Sequence, residues 1–202
     1  MEIKLIGKVQ ETEIRKSNLA VVEFKSIARG IFTTDAMLKA ANVNLVMATS
    51  LCPGKYLTIV EGETSAVENS LKVADEIGGM HVFSSEVINA ISHKVINAIF
   101  GKLQSETGGA LAIIESMQMA NLISSADEVV DAVQIEFVDF RLARGCGVNS
   151  FYIFSGELSS VQEGAKVASK YLMGRGALLA YRVISGPDRE VWRWIKSSLC
   201  GC

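Results

Sequence analysis

Short apolar runs alternate along the chain with segments of helical periodicity, and the same order of the two kinds of segment occurs twice. Leu19–Phe24 and Ala110–Ile114 are short apolar runs that predict buried strands. After each run, apolar residues recur at helical spacing, at Ile31, Met37, Leu38 and Ala41 and then at Ile123, Ala126, Val130 and Val133. Each copy therefore begins with a strand and a helix.

A β-hairpin and a second helix follow in each copy. The predicted hairpin strands lie around a glycine-bearing loop, at Asn44–Thr49 and Tyr56–Val60 and later at Ile135–Leu142 and Phe151–Phe154. A serine three residues before Glu or Gln has the spacing of a capping box, which predicts the start of the second helix. The two pairs are Ser65 with Glu68 and Ser159 with Gln162.

A last strand and a terminal helix complete each copy. The strands are predicted near Met80–Phe83 and Ala177–Val183, and the helices at Val87–Phe100 and Asp188–Lys196. The predicted fold class is α+β, with two tandem ferredoxin-like β-α-β-β-α-β domains.

The repeat is also visible in residue identities. At an offset of 92 residues Glu23 meets Glu115 and Asp35 meets Asp127, and at an offset of 94 Gly62 meets Gly156. The two-residue change implies a longer loop in the second copy. We predict an N-terminal extension at 1–17, a first domain at 18–103 and a second at 110–196, joined through the polar, glycine-rich segment 104–109.

Composition narrows the function classes. The 202 residues include 22 acidic and 20 basic side chains, which gives a net charge of −2. Nucleic-acid-binding domains usually carry an excess of basic residues, so the chain is not expected to bind nucleic acid. No segment has the length of a membrane span or the pattern of a signal peptide, and four cysteines form no disulfide framework, which favours a cytosolic protein. The chain carries no phosphate loop, dinucleotide fingerprint or nucleophile elbow, so an enzyme is not expected.

The segments 27–46 and 50–63 resemble the bacterial microcompartment shell domain, and the second copy matches it more loosely. Two such domains in unpermuted order resemble the tandem-domain shell proteins, which form trimers that mimic a six-sided tile. Leu51–Lys55 and the tail Val191–Arg193 look most like the propanediol-utilisation subtype, whose members carry an iron-sulfur cluster at the central pore.

The resemblance implies where the functional residues lie. The hairpin loops would line the pore, at Ser50, Leu51, Pro53, Gly54 and Lys55 around Cys52 and at Arg144, Gly145, Cys146 and Gly147 in the second copy. Lys39 matches a lysine that the family uses at the tile edge, whereas the second copy has Asp131 there. The implied partners are two further copies and other shell proteins, with neither nucleic acid nor membrane.

Cys52 gains its importance from the implied symmetry. A lone Cys-Pro-Gly-Lys loop favours a small, half-buried thiol. A threefold axis turns Cys52 into three converging thiolates, which can hold three irons of a 4Fe-4S cluster and leave the fourth open. Lys55 would then offset thiolate charge. Cys146 stands at an offset of 94 from Cys52. Three interpretations of Cys146 are open: a spare ligand, a redox partner of Cys52 or a small pore-lining residue.

Three functions remain open on the sequence. The favoured one is a trimeric shell tile whose pore carries an iron-sulfur cluster for electron transfer across the shell. The second is a metal-free pore for small polar metabolites. The third is a stand-alone ligand-sensing regulator built on two ferredoxin-like domains.

Overall fold

The computed structural model describes residues 17–103, 108–143 and 149–197. The first copy consists of β1 Ser17–Phe24, α1 Ile27–Ala40, β2 Asn44–Leu51, β3 Lys55–Gly62, α2 Thr64–Gly78, β4 Val82–Ile91 and α3 His93–Ile99, with a short 3-10 turn at Gly79–His81. The second consists of β5 Ala110–Ser116, α4 Met119–Ala132, β6 Glu136–Arg141, β7 Ser150–Gly156, α5 Leu158–Gly174, β8 Leu178–Ile184 and α6 Arg189–Ser197. The predicted β-α-β-β-α-β order is confirmed in both copies.

Each copy forms an antiparallel four-stranded sheet with the same strand order. The orders are β2-β3-β1-β4 and β6-β7-β5-β8. The registers also correspond, because Val22 lies opposite Thr58 as Ile114 lies opposite Tyr152. The two hairpins therefore end at equivalent corners of their sheets.

Both copies bury one sheet face beneath their first two helices. In the first copy, β1 residues Ala20, Val22 and Phe24 pack with Met37 of α1 and Val67 of α2. Alternate residues of each central strand face the core, as the period of a strand requires.

In the second copy, helix α6 covers the opposite face of the sheet. Trp192 of α6 packs with Leu111, Val138 and Ile153. The sequence predicts that one of the two tryptophans points inward, and Trp192 does so while Trp194 is exposed.

The described residues divide into two compact units at position 91/92. Helix α3 follows the last strand of the first copy in sequence, yet it belongs to the second unit, where it packs against α4 and β6. None of the helices within the described ranges is both long and apolar enough to span a membrane.

Two local predictions are wrong. The capping boxes do not start the second helices, because α2 and α5 begin earlier, after N-cap residues Glu63 and Glu157 that make no side-chain cap. The terminal helix predicted from Val87 begins only at His93, because β4 continues to Ile91 in backbone pairing with β1. Pairing with a neighbouring strand overrides the local helical pattern there.

Candidate functional site

The first hairpin presents a tight loop between β2 and β3. Leu51 and Lys55 form the last strand pair, and the Gly54 N–H donates to the Leu51 carbonyl at 2.9 Å. Gly54 has a φ of +81°, a left-handed conformation that glycine adopts without steric cost. The loop is therefore closed by backbone bonding around Cys52 and Pro53, which are joined by a cis peptide bond.

Cys52 lies at the tip of this loop with its thiol half-buried. Pro53, Gly54 and Ser50 are exposed, while Leu51 is buried and fixes the loop to its own sheet. The arrangement holds one sulfur atom at the edge of the unit, where a ligand or another chain can reach it.

Lys55 forms a buried ion pair beneath the loop. Its Nζ donates to Glu23 Oε1 at 2.7 Å, and the Glu23 side chain is fully buried. The Ser84 hydroxyl donates to Glu23 Oε2 at 3.2 Å, and Lys55 Nζ lies 3.7 Å from the centroid of the Phe83 ring. The lysine charge is thus paired with Glu23 on the central strand.

The sequence did not reveal this cluster. Glu23 interrupts an otherwise apolar strand, and that interruption was the available signal for a buried charge with a partner. Its partner comes from β3 and its hydroxyl donor from β4.

The second hairpin has a different base. Arg144, Gly145, Cys146 and Gly147 lie outside the described residues, so their predicted role at a pore stays a prediction. At the base of the loop, the Ala143 N–H donates to the Ser150 hydroxyl at 3.1 Å. Asn149 occupies the position of Lys55, and Glu115, the counterpart of Glu23, is partly exposed.

The described residues of one chain do not form a metal site by themselves. Among the described residues of one chain, no group of three His, Cys, Asp or Glu side chains could hold a metal ion. Cys52 offers one soft thiol ligand, of the kind that iron-sulfur clusters require. Cys52 therefore supplies one of the thiol ligands that a cluster needs, and a cluster at this loop would require further thiols.

Lys39, predicted at the tile edge, lies on the exposed side of α1. Its Nζ donates to Asp35 Oδ2 at 2.6 Å, one helical turn away. An exposed pair of this kind contributes little to stability and leaves both side chains accessible to a neighbour.

Comparison with known proteins identifies the fold. Residues 18–91 and 110–187 each match the BMC domain family. The chain belongs to the BMC shell-protein family. It is 33% identical over 175 residues to the bacterial microcompartment shell protein PduT of Citrobacter freundii, an alignment that covers 87% of this chain and 95% of that protein.

Solved structures agree with this assignment. A microcompartment protein from Desulfitobacterium hafniense is 33% identical and superposes with a TM-score of 0.77, over 88% of this chain and 98% of that one. A fused permuted hexameric shell protein of the RMM microcompartment shares the fold at 22% identity, with a TM-score of 0.58 over 78% of this chain and 84% of its own.

Two predictions are therefore confirmed: the fold consists of two tandem BMC domains, and the protein is a component of a microcompartment shell. BMC shell proteins oligomerise and assemble with other shell proteins, and this chain is a fused tandem member of that group. Membership of this family favours the shell tile over the hypothesis of a stand-alone regulator.

Proposed function

We propose that three copies of the chain form a ring-shaped structural tile, and that Cys52 of each copy lies at the threefold axis, where the three thiolates hold a 4Fe-4S cluster. The tile would be structural and would have no catalytic residues of its own. When bound, the cluster would supply one-electron transfer through the shell.

The position of Cys52 is the observation that carries this proposal. The thiol lies half-exposed at the tip of a hairpin loop, and the described residues of one chain form no group of three ligands that could hold a metal ion. A single thiol at a projecting tip becomes a ligand set when a rotation axis repeats it.

The residues around Cys52 support such a site. Gly54 has open space where a Cβ would stand, so the backbone can approach the axis closely. Leu51 and the Glu23–Lys55 pair fix the base of the loop, which holds the sulfur in one place. A preorganised ligand loses little conformational entropy when it binds.

Anaerobic purification tests the proposal through iron content as well as colour. We expect one cluster per three chains, with visible absorption that dithionite bleaches and a paramagnetic resonance signal in one redox state. Cys52→Ser should lose both iron and absorption.

Cys146→Ser is the matched control, because Cys146 occupies the equivalent hairpin of the second copy. Retention of the cluster by this variant would limit the ligands to Cys52. A colourless, iron-free assembly would reject the cluster and favour a metal-free pore for polar metabolites. A cluster that survives in Cys52→Ser would reject Cys52 as its ligand.

A further inference from the structure

The two copies differ on the outer face of their first helix. In α1, Ile31 is 53% exposed and Phe32 is 60% exposed. Their counterparts in α4, Ile123 and Ser124, are 0% and 6% exposed. The same helix face is therefore covered in one copy and exposed in the other.

Helix α3 packs against α4 in the second unit. The Ser92 N–H, at the start of α3, donates to Asp127 Oδ1 of α4 at 2.8 Å. Lys94 Nζ donates to the Ile135 carbonyl and to Glu136 Oε1, each at 2.7 Å. Val95 and Ala98 of α3 are buried.

Helix α6 is the counterpart of α3 in the second copy. Val21 pairs with Glu86 as Ile113 pairs with Arg182, which sets the offset between the last strands at 96 residues. The same offset aligns the two N-terminal caps: the Ser92 hydroxyl accepts from the Lys94 N–H, and Asp188 Oδ1 accepts from the Glu190 N–H. On this alignment Val95 corresponds to Val191 and Ala98 to Trp194.

The two sides of α6 have different surroundings. Trp192 packs on the sheet of its own unit and is 8% exposed. Val191 and Trp194, the counterparts of two buried α3 residues, are 40% and 73% exposed. This exposed side is the one that α3 uses against α4 and β6.

We propose that α6 of one chain packs on α1 of a second copy, and that Trp194 anchors this contact next to Phe32. The inference rests on the proposed ring and assigns the surfaces that close it. We expect α6 to lie on α1 of the second copy in the way that α3 lies on α4 within one chain. Because α6 and α1 are different surfaces, the contact is head-to-tail, the type that generates rings. Burial of large aromatic side chains supplies the affinity, as in most protein interfaces.

The charges favour α1 over α4 as the surface that receives α6. Asp188 and Glu190 make the first turn of α6 acidic, and on an α4-like surface they would approach Asp127 and Glu136. In the first copy, Asn44 replaces Glu136 and Lys39 replaces Asp131. Asp35 of α1 keeps the position of Asp127, but its charge is paired with Lys39 at 2.6 Å, and the repulsion from Glu136 is absent. The balance of charge therefore favours α1 over α4 for the acidic first turn of α6.

A charge-reversal cycle measured by sedimentation or light scattering tests the contact. Trp194→Glu and Phe32→Lys should each raise the concentration at which the ring dissociates by at least about 30-fold, the loss typical of a hot spot. The double variant should recover much of this loss, because Glu would then face Lys. Both positions are exposed in the single chain, and circular dichroism checks that each variant is folded.

Met80→Glu is the control, since Met80 is 84% exposed and lies on neither helix. Single variants that assemble like the wild type would overturn the assigned surface while the ring itself stands. A failure of the double variant to recover would overturn the pairing of Trp194 with Phe32. A wild-type chain that stays monomeric at every concentration would reject both the ring and the contact.

Discussion

The bases of the two hairpins are built with different chemistry on the same backbone. The first copy has the Glu23–Lys55 ion pair with Ser84, whereas the second has Glu115, Asn149 and Ala180 at the corresponding positions. Removing two charges from water is costly, and an apolar replacement is often as stable. Since the second copy folds without the pair, the fold does not require it. The copy that carries Cys52 retains it, which fits a role in positioning that loop.

The largest difference between the copies should appear when one charge of this pair is removed. Glu23→Gln removes the carboxylate that lies 2.7 Å from the largely buried Lys55 ammonium, and we expect a loss of about 3–5 kcal/mol in the free energy of unfolding. Urea unfolding followed by circular dichroism measures this loss. Alkylation of Cys52 in the folded protein reports whether the loop also changes.

Glu115→Gln provides the matched control in the second copy and should change the unfolding free energy by less than about 0.5 kcal/mol. The double variant Glu23→Gln/Lys55→Met removes both charges and should recover most of the loss. Equal effects of Glu23→Gln and Glu115→Gln would show that the pair has no special importance.

Most of the fold could be predicted from sequence because periodicity and repetition are local signals. The strands and helices around the repeated positions were predicted, and the repeat fixed their order. The extension of β4 to Ile91 was missed because pairing of Val87 with Ala20 joins residues far apart in sequence. The starts of α2 and α5 differ from the prediction because the backbone enters each helix before the serine, so the serine spacing does not act as a cap.

The site was predicted only in part. The loop position of Cys52 follows from the hairpin pattern, which is local. The partner of Lys55 cannot be predicted in this way, because Glu23 lies on a different strand and contacts Lys55 only when β1 and β3 pair. Packing contacts between elements of this kind leave almost no trace in a single sequence.

The copies also differ in how α1 and α4 approach their sheets. A Cβ added at Gly30 would lie 2.6–2.8 Å from side-chain atoms of Tyr56, so α1 lies directly on that ring. In the second copy the large residue is on the helix, Leu122, and the strand carries Ser150. The large side chain of the pair thus lies on the strand in the first copy and on the helix in the second, and both arrangements fill the space between helix and sheet.

Gly30→Ala should therefore cost about 1–3 kcal/mol of unfolding free energy by overpacking against Tyr56. The double variant Gly30→Ala/Tyr56→Ser copies the small strand residue of the second copy and should relieve the clash. Gly174→Ala is the control, because no atom lies within 4 Å of its added Cβ. Thermal unfolding compares the three, and a cost for Gly30→Ala that persists without the Tyr56 ring would contradict this explanation.

The smallest predicted difference concerns two aspartates at equivalent positions of α1 and α4. Asp35 is exposed and binds Lys39, whereas Asp127 is buried and accepts the Ser92 N–H. Burial raises the pKa of Asp127, the Ser92 N–H lowers it, and the charges of Asp131 and Glu128 raise it further. The net shift is upward, so the protonated form is favoured in the folded state.

A raised pKa in the folded state gives a stability contribution that is complete below the unfolded pKa and is lost as pH rises through the folded value. Asp127→Asn keeps an oxygen acceptor for Ser92 but does not titrate. Its stability relative to the wild type should therefore improve between about pH 4 and pH 7, where a carboxyl with a raised pKa loses its proton. Asp35→Asn should show no comparable improvement, because its exposed pair with Lys39 contributes at most about 1 kcal/mol. Urea midpoints for both variants at several pH values measure the contrast. A pH-independent difference for Asp127→Asn would show that folding does not shift the pKa of Asp127, and a relative stability that falls as pH rises would place the ionised carboxylate among the stabilising groups.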